Sequence, residues 1–114
     1  MKVRNIEIKY DRTNVDDVQK FEDALEAYQE AQKTIAETTY ARQSDKLLAG
    51  CEAAAELLRT AFSEDLIEAT GVNPRSLMEL TDLIVDITDA IMQENKQQVQ
   101  KVQRLAAKYG NMRA

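Results

Sequence analysis

Four carboxylates, Glu79, Asp82, Asp86 and Asp89, recur at intervals of three and four residues. On a helix that spacing sets them along one side, where they can hold a hard divalent cation or grip a basic partner. Ca²⁺ and Mg²⁺ sites usually add carbonyl or loop oxygens, so the plainer reading is a solvated acidic face. Cys51 is the one thiol in the chain, set among Ala and Leu. A nucleophilic thiolate needs an adjacent base or cation, the chain has no His, and cysteine is among the most buried residue types. Cys51 therefore reads as core. Glu64-Asp65 imitates an acid–base pair, yet adjacent acids at a helix start act as cap and dipole partners. No phosphate-binding loop, Gly-rich dinucleotide turn or nucleophile elbow is present. These residues predict a protein that is not an enzyme and holds no metal or cofactor.

The elements that position these groups follow from composition and periodicity. The chain has 114 residues, 44% hydrophobic, 5% aromatic and 31% charged, with a net charge of −5. That length supports one small core and a single domain over 1–114. Three Gly and one Pro are too few for a loop-rich β-sandwich. A single Cys excludes an internal disulfide framework. No apolar run exceeds three residues, so neither a membrane span nor a signal-peptide core is expected.

Residues 3–10 alternate, with Ile6, Ile8 and Tyr10 on one side and Glu7 and Lys9 on the other, the pattern of a half-buried strand. No second segment alternates comparably. A lone strand cannot pair its own backbone groups, so either its partner is a segment of this chain that does not alternate or it pairs with another copy or another protein, and pairing between molecules is the expectation. Asn14 then caps a helix over about 15–37, with Asp16 and Asp17 in its first turn. Its apolar stripe is Val18, Phe21, Leu25, Tyr28, Gln32 and Ile35. Ser44-Asp45 opens a second helix over about 45–62, in which Gly50 and Ala53 to Ala55 permit close helix approach. A short helix over 64–70 stops at Gly71, a residue suited to the left-handed stop position.

Asn73-Pro74 predicts the start of a last helix over about 74–109. Leu77, Leu80, Ile84, Ile87 and Ile91, joined by Met78, Leu83, Val85 and Met92, make an apolar band so wide that burial on more than one side is expected. Beyond Met92 the pattern narrows to Val99, Val102, Ala106 and Tyr109. If continuous, the helix is about 54 Å long, against a radius of gyration of about 13 Å for a compact chain of this size. Its end must protrude, fold back or meet another molecule. Residues 93–114 also carry five cations against Glu94 alone, whereas the rest of the chain is acidic. The fold class is thus mainly α: a small helical bundle with a long C-terminal helix and one N-terminal β-strand pairing between molecules. Ile6, Ile8 and Tyr10, with Val99, Val102, Ala106 and Tyr109, are the expected interaction residues. Self-association into a homo-oligomer is expected through them. The carboxylates from Glu79 to Asp89 form a face for a basic partner. Nucleic acid is poorly served by a tail whose charges are diluted by Gln and whose only stacking ring is Tyr109.

An N-terminal strand reading Val-Arg-Asn-Ile-Glu-Ile-Lys-Tyr leads into a helix containing Asp-Val-Gln-Lys-Phe-Glu-Asp-Ala-Leu from Asp17 to Leu25. The segment from Ala61 to Gly71 then precedes a long helix with Leu77-Met78-Glu79-Leu80. In size and layout this resembles the small tail-assembly-chaperone-like proteins of Gram-positive siphophages and prophages. The resemblance implies a non-enzymatic protein of the bacterial cytoplasm, or one associated with the virion. It would keep the tape-measure protein soluble or recruit tail-tube subunits. Two other readings stay open. One is a small phage-encoded regulator or host-defence antagonist that occludes a partner with its carboxylates. The other is nucleic-acid binding through the basic helix.

Overall fold

The computed structural model describes residues 1–112, with the side chains of all but residues 98, 99, 101, 102 and 105–112. Its first ten residues form a hairpin rather than one strand. β1 (Lys2–Val3) pairs antiparallel with β2 (Ile6–Glu7), Val3 opposite Ile6 and Lys2 opposite Glu7. Arg4 and Asn5 between them both have positive φ, 52° and 64°. Two positive φ values give the two-residue turn whose twist matches that of the strands it joins. Asn tolerates that conformation and Arg does so at a cost. Pairing continues outward, the Ile8 N–H donating to the Met1 carbonyl at 2.7 Å. The expected strand over 3–10, paired between molecules, is therefore corrected: its partner lies just before it in the same chain. No Gly marks the turn, so the usual Asn-Gly or Asp-Gly hairpin signal is missing from the sequence.

Four helices follow. α1 (Val15–Glu37) begins at Asn14, whose side-chain oxygen accepts from the Asp16 and Asp17 N–H groups, and ends where Thr38 turns extended. α2 (Gln43–Ala61) starts ahead of the predicted Ser44-Asp45, with Arg42 at the cap position and no side-chain cap bond. α3 is a five-residue turn of helix, Leu66–Thr70, stopped by Gly71 in the left-handed conformation at φ 71°. α4 (Leu77–Met112) starts three residues beyond the predicted Pro74. Asn73-Pro74 makes a turn instead, and Ser76 caps the helix: its Oγ accepts from the Glu79 N–H at 3.3 Å. Glu79 reaches back to the Asn73 N–H at 3.5 Å. Ser76 and Glu79 have the Ser-x-x-Glu spacing of a capping box, but Glu79 reaches the Asn73 N–H instead of that of Ser76, and the Ser76 cap displaces the start that Pro suggested.

The core sits where α2, α3, the hairpin and the first half of α4 meet. Cys51, Ala54 and Leu58 of α2, Leu66 and Ile67 of α3, Val3 and Ile8 of the hairpin and Leu80, Leu83, Ile87 and Ile91 of α4 are all buried in it. The small residues of α2 do what their size predicts: a Cβ added at Gly50 would already meet Leu77 Cδ1 and Cδ2 at 3.5 Å. α1 is held more loosely, with Ala24 its only fully buried residue. Tyr10, Phe21 and Phe62 close the bottom of α1 against α2, their ring centroids 5.7 to 6.0 Å apart. Arg4 Nε pairs with Asp86 Oδ2 at 2.7 Å, and Arg12 Nε with Glu94 Oε2 at 3.8 Å, tying the N-terminal segment along α4. The molecule is elongated, 71 × 30 × 21 Å with a radius of gyration of 18.2 Å, because α4 outruns the bundle.

Candidate protein-interaction surface

α4 has two apolar faces, and the chain covers one. Leu80, Leu83, Ile87 and Ile91 recur at three- and four-residue spacing and are buried against α2 and the hairpin. Met78, Val85 and Met92 recur every seven residues, on the opposite side, and are 72%, 49% and 61% exposed. The expected burial of this helix on more than one side is thus corrected. Its breadth reflects a second face open to solvent. Such a repeat is the pattern by which one helix packs along another. In the sequence it continues through Val99 and Ala106. After Glu94 every described side chain of α4 is exposed.

The carboxylates beside this stripe are not equivalent. Asp86 is paired with Arg4, and Glu79 serves the start of its own helix. Asp82 and Asp89 are exposed with no ion-pair partner among the described residues. Among the described residues no group of three or more His, Cys, Asp or Glu is arranged to hold a metal. The charge of α4 also changes sign along its length. From Leu77 to Asn95 it carries only acids, and from Lys96 to Met112 only Lys and Arg.

Of the other expected interaction residues, Ile8 is in the core and Ile6 and Tyr10 pack against it. They hold the hairpin to the core instead of presenting an apolar face outward, which corrects the expectation placed on them. Burial, with the charges of Asp17, Glu22 and Glu94 behind it, raises the Tyr10 pKa above its ordinary value. Val99, Val102, Ala106 and Tyr109 lie outside the described side chains. Sequence reasoning missed the exposed stripe Met78, Val85 and Met92, because it assigned those residues to the core. Their place on the side of the helix opposite Leu80, Leu83 and Ile87 is what sets them apart.

A second apolar feature is a groove of about 470 Å³ between the end of α1, the start of α2 and the start of α4. Tyr28, Ile35, Leu47, Gly50 and Leu77 line it, and Leu47 is itself exposed. Cys51 is buried in the core and unpaired. No polar or charged residue is buried among the described residues, and no helix there is long and apolar enough to cross a membrane.

The chain belongs to a family of unknown function, DUF6673, whose model matches residues 4–114. No curated protein and no solved structure matches it.

Proposed function

We propose that this DUF6673 member is a non-enzymatic interaction protein that holds helical segments of other proteins along the outer face of α4. The observation that carries this reading is the exposed stripe Met78, Val85 and Met92 on a helix whose opposite side already fills the core. Exposed apolar residues scattered singly are ordinary, but a spaced row on one helix face marks a contact surface. The sequence resemblance to tail-assembly chaperones supplies the class of client: a tape-measure or tail-tube protein, whose long apolar helices need cover during assembly. The exposed Asp82 and Asp89 favour a second reading, in which the same region occludes a basic partner.

Affinity purification from cells making the tail proteins tests this. Tape-measure or tube protein should be recovered with the wild-type chain and lost with Val85→Asp/Met92→Asp, while helical content stays unchanged. Recovery of a host enzyme in their place would favour the second reading. Equal recovery with both chains would remove α4's outer face from the function.

A further inference from the structure

Resting on the reading that α4's outer face is a contact surface, we infer that one occupant of that face is a second copy of this chain. Its α4 lies antiparallel, and the two-fold axis passes near Met92 and Gln93. Three observations converge on it. The first is the alternation of charge along one helix. All five charged residues from Leu77 to Asn95 are acidic, and the four that follow as far as Met112 are basic. The helix dipole favours acids at the start and bases at the end, but its effect fades within the terminal turn. Asp86, Asp89 and Lys96 lie well inside the helix and beyond its reach. Parallel pairing of two copies would set acid against acid and base against base. Antiparallel pairing sets each acidic half against a basic one, and like-charge contacts disfavour the parallel alternative.

The second observation is register. With the two-fold near residues 92 and 93, Asp89 of one copy faces Lys96 of the other, and the reverse pair forms by symmetry. The same axis sets Val85 across from position 100 and Met78 across from position 107, which are Gln and Ala in the sequence.

The third is area. A compact monomer of 12.9 kDa exposes roughly 6,300 Å², whereas this chain exposes 8303 Å². The excess of roughly 2,000 Å² exceeds the approximately 800 Å² that each partner contributes to a stable interface.

Sedimentation of the purified chain over a range of concentrations, together with engineered cross-links, tests this. The expected species is twice the 12.9 kDa chain mass. Val85→Cys/Gln100→Cys should form an inter-chain 85–100 disulfide, whereas Val85→Cys alone should not cross-link. Buried Cys51 should not compete. Asp89→Lys and Lys96→Glu should each weaken the dimer about tenfold, two symmetric contacts being lost in each case. The double variant should recover the affinity. A chain that stays monomeric at every concentration overturns the inference, and client recovery by that monomer would leave the contact-surface reading intact. Cross-linking through Val85→Cys alone would show parallel copies and overturn it as well.

Discussion

The inner and outer faces of α4 are built from the same kinds of side chain and differ in what meets them. Leu80, Leu83 and Ile87 fit between α2, α3 and the hairpin with almost no exposure, while Met78 and Met92 stand mostly in water. Hydrophobicity along the helix does not separate the two. Direction around the helix does: Leu80, Leu83 and Ile87 fall on one side, and Met78, Val85 and Met92 on the opposite one. Apolar content tells how much surface wants cover. The side of the helix on which it lies tells from which direction the cover comes.

The difference is sharpest under truncation. Leu83→Ala should cost about 2 to 5 kcal/mol, because it removes buried contacts and leaves a cavity. Met92→Ala, measured in dilute solution, should stay within about 0.5 kcal/mol. Urea denaturation followed by circular dichroism reads both. A comparable loss from the two would mean that the outer face is also packed, and the contrast would disappear.

Two glycines set space against backbone strain. Gly71→Ala should cost about 1 kcal/mol, for φ there is 71° and nothing lies within 4 Å of the added Cβ, so conformation alone is responsible. Gly50→Ala should go the other way. It lies within α2, its new Cβ meets Leu77 in ordinary contact, and helix propensity favours Ala by up to about 1 kcal/mol. Thermal melts of the two variants should therefore shift in opposite directions. A melting point lowered by Gly50→Ala would show that the α2–α4 contact has no room to give.

How much of this was legible in the sequence depended on whether the signal was local. Asn14 announces α1, and Gly71 announces the end of α3, because each acts within one turn. The helices and the long last element follow from periodicity. The hairpin was hidden because Arg4 and Asn5 carry a left-handed turn without Gly, and its first strand, Lys2–Val3, is too short to alternate. Pro74 misplaced the start of α4 because Ser76 and Glu79 offered a stronger cap two residues later. The outer stripe was the costliest miss. Met78, Val85 and Met92 sit among buried neighbours in the sequence, and which side of a helix is covered is decided by tertiary packing. Ile6, Ile8 and Tyr10 failed as a surface for the same reason, since their apolar alternation marks burial without saying whose.

The smallest expected effect separates the outer surface into parts that interact and parts that are merely wet. Asp11, at the junction of the hairpin and α1, is fully exposed, yet Thr13 donates to its Oδ1 from Oγ1 at 2.6 Å and from its N–H at 2.9 Å. Those donors favour the ionised carboxylate and hold its pKa below the ordinary 3.8. A carboxyl lowered on folding supports the native state above its unfolded pKa, and that support fades as pH falls through the folded value. Thr13→Val removes the hydroxyl donor, so the Asp11 carboxyl should titrate closer to 3.8 by NMR. The stability difference between variant and wild type should narrow as the medium is acidified below that point. An Asp11 titration unmoved by the substitution would mean that the Thr13 hydroxyl does not bind it in solution, leaving the junction as wet as the rest of the exposed surface.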